Sequence, residues 1–256
     1  MFDGPDPVSA EFVVLITVFG LVMGSFLGTV AERLPKGQSI VFGRSHCDHC
    51  GTVLRLWQLI PVAGWIGQFG LCHFCKARIS PIYLVMELGA AAVCVWSVAA
   101  VPQAILIPSV ALGWILLTLA VMDWRHLLLS DALTLPLLGS GLVIAWIFWP
   151  QRFGDHVLGA LGGGTLLFGI NAAYRRLRRK DGLGLGDVKL AGAAGAWLGF
   201  EGLPTVFVIA SSAALFALLV RRMSGTMIAW NAKVAFGSYL CLGTWIVWLY
   251  GPIAWG

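Results

Sequence analysis

Two carboxylates in this sequence stand where charged groups are rarely tolerated. Asp123 closes an apolar run in LTLAVMDWRHLLL, and Asp187 opens another in GLGLGDVKL. Basic residues flank both, so the two can occupy one depth at the same side of a bilayer. Carboxylates that meet in a partly dry site do not both ionise readily, and the pair tends to hold a single proton. Such a pair polarises a water for attack on a peptide carbonyl while its protonated member donates to the carbonyl oxygen, which is aspartic-protease chemistry. The helix dipole favours the anion on Asp187, at a helix N-terminus, and the proton on Asp123, at a C-terminus. Gly182, Gly184 and Gly186 leave the approach to Asp187 without side chains, so an extended substrate backbone can come close and pair there.

Four cysteines form a second constellation. Cys47-Asp-His-Cys50 and Cys72-His-Phe-Cys75 are separated by 21 residues, a pattern that can surround a tetrahedral zinc and supply folding energy to a short loop. Four thiolates close the coordination sphere, so the metal is structural. Thiol redox chemistry is the alternative use of such pairs. His46, His49 and His73 neighbour the knuckles and could replace a ligand. Cys94 and Cys241 lie in apolar stretches, where cysteine behaves as a small apolar residue.

Most other carboxylates sit in tails, turns or beside basic residues. Asp131 suits the N-cap of the helix that follows it. Glu87, in IYLVMELGAAAV, falls inside an apolar stretch, where an ionisable group is costly and functional by default. Glu87 and Lys189 either contact substrate, orient the aspartates or form internal ion pairs.

The elements that must position these groups are membrane helices. The chain has 256 residues, 59% hydrophobic and 11% charged, with a mean hydropathy of +0.86, whereas soluble domains carry about a quarter charged residues. A bilayer core takes roughly 17 to 25 apolar residues per helix. Such stretches lie near 10–31, 82–100, 103–122, 133–150, 156–174, 188–199, 203–220 and 234–254, giving an all-α polytopic membrane protein of about eight spans. The flank MFDGPDPVSAE is acidic, so the first stretch reads as a span and not as a cleavable signal peptide. With the N-terminus outside, the inner segments hold 16 of the 17 basic residues, Arg152 being the exception. The net charge of +5 is thus a topology signal; no aromatic-interleaved basic patch points to nucleic acid, and RRLRRK suits anionic lipid. Only the loop of 32–81 is long enough for a small soluble fold, and it needs a staple.

Taken in order, these segments resemble the type IV prepilin leader peptidases, bifunctional membrane aspartic proteases of the G-x-G-D type. GLVMGSFLGTVAERLP (20–35) is similar to the family's first-span motif, LIPVAGW (59–65) to a stretch of its cysteine loop, and ISPIYLVMEL (79–88) to the start of its second span. VMDWRHLLLSDALTLPLL (121–138) is similar to its first aspartate motif, GLGLGDVKLAGAAGAWLG (182–199) to its second, and VAFGSYLCLG (234–243) to its closing segment. The resemblance implies an enzyme of the bacterial inner membrane with its site at the cytoplasmic face. Such an enzyme removes the basic leader of type IV prepilins or type II secretion pseudopilins, then methylates the new N-terminal residue with S-adenosylmethionine. It implies that Asp123 and Asp187 are catalytic, that Cys47, Cys50, Cys72 and Cys75 hold zinc, and that Gly24 serves methyl transfer. Gly184, Gly186, Lys189 and Glu87 are the candidate substrate contacts. The corresponding division is an N-terminal region at 10–100 with its zinc loop at 32–81, an aspartyl peptidase core at 103–220, and a basic loop with the last span at 221–256.

Three positions depart from the family pattern. Gly28 stands where Asn is common, Leu59 replaces the Asn before the Ile-Pro pair, and Ser130 stands where Pro usually precedes the motif's second aspartate. Sequence alone leaves open the pilin recognised and the oligomeric state. The rival readings are an ion-coupled transporter, an assembly scaffold built on the knuckles, and a presenilin-like protease; a transporter of paired repeats would show two related halves, and none is visible.

Overall fold

A computed structural model describes residues 8–40, 45–47, 49–178, 184–224 and 234–253. Among these residues the chain is helical, with two isolated antiparallel bridges and no strand. The α-helices are α1 (Ala10–Arg33), the short α2 (Ala63–Gly67), α3 (Ile82–Ala100), α4 (Leu106–His126), α5 (Asp131–Phe148), α6 (Phe153–Arg178), α7 (Leu185–Leu198), α8 (Leu203–Met223) and α9 (Phe236–Tyr250). Helices α1, α3, α4, α5, α6 and α8 are long and apolar enough to cross a membrane. The two remaining expected spans are α7 and α9, shorter at 14 and 15 residues. Large apolar side chains face outward: Leu15 and Phe216 are each 68% exposed, as lipid-facing residues are and those of a soluble domain rarely are.

Two compact units are present, Phe2–Thr118 and Leu119–Gly256. In the first, α1 is capped by Ser9, whose hydroxyl accepts from the Phe12 N–H at 3.3 Å. It stops at Pro35 and the left-handed Gly37, φ +65°. Gly20, Gly24 and Gly28, one turn apart, are buried and lie against α3. A Cβ on Gly20 would stand 2.8 Å from the Ala91 Cα, and one on Gly24 2.5 Å from the Glu87 Cα. Membrane helices associate by this kind of backbone approach, because lipid provides no hydrophobic drive to pair them. Trp114 of α4 ties to α3 by donating from Nε1 to the Ala90 carbonyl at 3.0 Å.

In the second unit α7 is the enclosed element. Every residue from Leu190 to Trp197 is buried, in a stretch, LAGAAGAW, whose small side chains let α5, α6 and α9 crowd around it. Gly159 and Gly195 meet backbone to backbone, as do Gly163 and Ala191. Trp197 fills the gap beside Gly141 and donates from Nε1 to the Leu137 carbonyl at 2.8 Å. A helix walled in by others need not match the bilayer thickness, because its polar ends are answered by protein.

Gly195→Val drives a branched side chain into the Gly159 backbone. This overpacking is expected to cost about 3 kcal/mol, read as a lowered Tm of the detergent-solubilised protein, whereas Gly139→Ala, in open space, is expected to leave Tm unchanged.

Candidate active site and metal centre

Asp123 falls in the last turn of α4, where the Leu127 N–H donates to the Asp123 carbonyl at 2.9 Å. Leu127 then turns left-handed, φ +51°, ending the helix as a glycine usually does. Ser130 caps α5, its hydroxyl accepting from the Ala132 N–H at 3.3 Å. The N-cap is therefore Ser130, one residue before the Asp131 expected there. Asp131 instead receives Lys189 Nζ on both oxygens, at 2.6 and 2.7 Å.

Asp187 occupies the first turn of α7 and is buried. Its Oδ2 accepts from the Gly184 N–H at 3.1 Å, and its own N–H donates to the Gly184 carbonyl at 3.2 Å. Asp123 is buried too. Its Oδ2 accepts from the Ser238 N–H at 2.7 Å. The Ser238 hydroxyl lies 3.1 Å from the same oxygen and 2.8 Å from the Ala120 carbonyl. Ser238 is in the first turn of α9, so Asp123, although it ends α4, presents its carboxylate to the N-terminus of another helix. The helix-end contrast expected between the two aspartates is thereby offset: each carboxylate meets a helix N-terminus, and the proton is best ascribed to the pair.

The carboxylates converge at Gly237. A Cβ there would lie 3.0 Å from Asp123 Oδ2 and 3.1 Å from Asp187 Oδ1. The two oxygens are thus within about 6 Å of each other, the reach of two carboxylates acting through one water. Leu129 wedges against both glycines of the site: a Cβ on Gly237 or on Gly186 would come within 2.7 Å of its side chain. Gly186 is therefore bare to seat Leu129. Gly184 is exposed and extended, φ −71° and ψ 148°, but its N–H and carbonyl already close on Asp187. Gly182 lies outside the described residues. Lys189 joins α7 to α5 through Asp131. Glu87 belongs to the first unit, where its Oε2 accepts from the Val62 N–H at 2.7 Å.

The four knuckle cysteines converge, with all Sγ atoms within 4.8 Å of one another and Cys47 and Cys75 separated by 3.8 Å. A tetrahedron of Zn–S bonds near 2.3 Å has edges of about 3.8 Å, so the set fits zinc. The two knuckles fold alike. Cys47 N–H donates to the Thr52 carbonyl and Cys72 N–H to the Ala77 carbonyl, at 3.0 and 2.8 Å. The residue after each second cysteine is left-handed, Gly51 at φ +68° and Lys76 at φ +58°. Hydrogen bonds from Thr52, side chain first and then backbone, bring the Cys50 thiol down to about 6. The backbone N–H groups of Cys75 and Phe74 lower Cys72. The anionic form that a metal needs is thus favoured at Cys50 and Cys72, while at Cys75, against a lowering hydrogen bond from the Ala77 backbone, desolvation and the neighbouring sulfurs push the thiol up to about 11.

Buried carboxylates at two helix ends, in a helical membrane chain with a tetrathiolate loop, suit a membrane peptidase, and the comparisons put the chain in that class. The family model described as Type IV leader peptidase family matches residues 110–219, and that described as Bacterial Peptidase A24 N-terminal domain matches residues 18–101. The chain belongs to the type IV leader peptidase family. It is 32% identical over 265 residues to the prepilin leader peptidase/N-methyltransferase of Aeromonas hydrophila, covering 93% of this chain and 90% of that protein. The protein of that name from Pseudomonas putida is 32% identical over 273 residues, covering 94% and 92%. That from Burkholderia pseudomallei strain 1026b is 33% identical over 252 residues, covering 88% and 81%. No solved structure matches the chain.

Gly237, Ser238 and Leu129 lie inside segments similar to the family's, yet the sequence assigns them no part in the site. The signal for the first two was faint: an A-F-G-S stretch opening the last apolar run, with no charge to mark it. Leu129 looks like any apolar loop residue until its two glycine partners are known.

A thiolate whose folded pKa lies below the ordinary thiol value stabilises the folded state above that ordinary value, and this contribution is lost as pH falls through the folded pKa. For Cys50 without metal that point is about 6. Purified protein is expected to hold about one zinc per chain at neutral pH and to release it to a chromophoric chelator on acidification as the thiolates protonate; a protein that holds no metal at neutral pH would contradict the tetrathiolate set.

Proposed function

We propose that the chain is a prepilin leader peptidase that also N-methylates its product. The observation that carries this reading is the facing of Asp123 and Asp187 at Gly237. Two carboxylates that close, with no cation paired to either among the described residues, hold one proton and one water. The ionised member takes a proton from the water as it attacks the scissile carbonyl, and the protonated member donates to the carbonyl oxygen; the roles then reverse as the amine leaves. Ser238 and Gly184 fix the carboxylates so that the facing oxygens point at the substrate. Gly184 keeps a side chain away from Asp187, Gly186 seats Leu129, and Lys189 holds α7 against α5 through Asp131.

The substrate is the membrane-lodged prepilin or pseudopilin, whose basic leader meets the bilayer at one interface. We place the enzyme in the bacterial inner membrane, N-terminus periplasmic and aspartates at the cytoplasmic face, on the distribution of 16 of 17 basic residues. Anionic headgroups would neutralise RRLRRK. Region 103–220 forms the peptidase core, to which the final region, 221–256, adds Gly237 and Ser238. Region 10–100 carries a structural zinc on Cys47, Cys50, Cys72 and Cys75.

S-adenosylmethionine supplies the methyl group when bound. The first unit has a place that suits a zwitterion bearing an aromatic ring, since Arg33 and Arg78 line one cavity with Trp65 and Tyr83, giving partners for a carboxylate and for a ring or sulfonium. Gly24 belongs to the helix that walls this cavity.

Reconstituted with a prepilin, the wild-type protein is expected to remove the leader, read by mass spectrometry. Asp123→Ala and Asp187→Ala are each expected to lose at least about a thousandfold in rate. Gly237→Ala, which fills the space between the carboxylates, is expected to lose most activity while Ser238→Ala loses less. Near-normal cleavage by either aspartate variant would sink the reading.

A further inference from the structure

Within the first unit lies a cavity of about 320 Å³, bounded by α1, the knuckle loop and the start of α3. That volume is at the small end of ligand sites. Its wall carries Arg33 and Arg78, suited to a carboxylate, and three features at or beside the Glu87 end point to the occupant of that end.

Glu87 is 6% exposed and is held by two neutral donors, the Val62 N–H at 2.7 Å and the Ser25 hydroxyl. Among the described residues no cationic side chain pairs with it. A buried carboxylate without a counter-cation is poorly compensated, and on a membrane helix it marks function. The Val62 N–H is also delivered at a cost. Val62 has φ +62° and ψ −54°, and the Ala63 N–H donates to the Pro61 carbonyl at 2.6 Å. This is a γ-turn of the rare, strained hand, centred on a β-branched residue. Lastly, Trp65 Nε1, buried beside the cavity, has no hydrogen-bond partner among the described residues; a buried donor left open in this way calls for an acceptor.

One unpaired anion and one unused N–H match a cationic amine next to a carbonyl, which is the amino terminus of a peptide. We propose that this cavity receives the N-terminal ammonium of the cleaved product, with Glu87 as its receptor and proton acceptor and Gly24 as the residue that positions Glu87. The proposal rests on the methyl-transfer part of the function proposed above. The ammonium passes one proton to the Glu87 carboxylate. The freed nitrogen lone pair then forms a bond to the methyl carbon of S-adenosylmethionine, the carbon–sulfur bond breaks with its electron pair staying on sulfur, and the thioether leaves. Glu87 returns its proton to solvent. Gly24 enters through geometry, since a Cβ there would press within 2.5 Å of the Glu87 Cα and the Met86 carbonyl, displacing α3 at the residue that carries the receptor.

The test uses the full chain with a prepilin and S-adenosylmethionine, reading cleavage and methylation separately by mass spectrometry. Glu87→Gln is expected to methylate roughly a hundredfold more slowly relative to its own cleavage rate, with a raised KM for the peptide in methyl transfer. Glu87→Asp is expected to recover part of the loss, and Gly24→Ala to show the same split between activities. Binding is read on the wild-type protein with a fluorescent peptide of pilin-type apolar N-terminus. The free amine is expected to bind at least about tenfold more tightly than its N-acetylated form. Equal affinities overturn the proposal whether or not the variants fold, and so does normal methylation by Glu87→Gln. Absence of methyl transfer in the wild type itself would overturn the methyl-transfer reading and this use of the cavity together, an outcome distinct from failure of Glu87 alone.

Discussion

A carboxylate inside an apolar bundle is tolerable only where backbone N–H groups answer it, and here the first turns of α7 and α9 supply them. Asp187 takes the N–H of Gly184, and Asp123 reaches across from the end of α4 to the N–H of Ser238. The bond to Asp187 holds its Oδ2 and leaves Oδ1 toward Gly237, while the bond to Asp123 holds Oδ2, the same oxygen that lies beside Gly237. The rest of the second unit follows from holding these two helix ends together. Small residues sink α7 among its neighbours, Leu129 seats against Gly186 and Gly237, and the Asp131–Lys189 pair ties α7 to α5 at its exposed rim. That last pair is solvated, and its energetic worth is small; its use is to set register.

Glycine serves two purposes in this protein that look identical in the sequence. At Gly159, Gly195, Gly20 and Gly24 it admits a neighbouring backbone, which is how helices associate in lipid. At Gly237 it leaves room between two acids, and any side chain there would touch both. The knuckle loop uses a third kind of economy. So short a segment has little core of its own, and its two near-identical turns bring four sulfurs to the spacing that a tetrahedral metal demands.

Much of this was legible before the fold was known. Apolar stretches placed all the described α-helices except the short α2, because in lipid the backbone has almost no other option. The paired C-x-x-C turns announced their cluster, since that spacing is local and its geometry almost independent of the surroundings. Asp123 and Asp187 stood out because charge is scarce in such a chain. What stayed hidden was tertiary. Asp123 sits at the end of its own helix, and nothing near it in sequence says that its carboxylate meets the start of α9, 115 residues away. Asp131 followed the usual N-cap pattern, yet Ser130 took the cap and freed Asp131 for Lys189. The bare backbone at Gly186 suggested a passage for substrate, whereas its neighbour is Leu129.

The central claim is that two acids act on one substrate atom, and it is tested most directly by a structure of the protein bound to a peptide mimic bearing a hydroxyl in place of the scissile carbonyl. The account predicts that hydroxyl above Gly237, within about 3 Å of a carboxylate oxygen of both Asp123 and Asp187. A hydroxyl bound to one aspartate alone, or seated away from both, would contradict it.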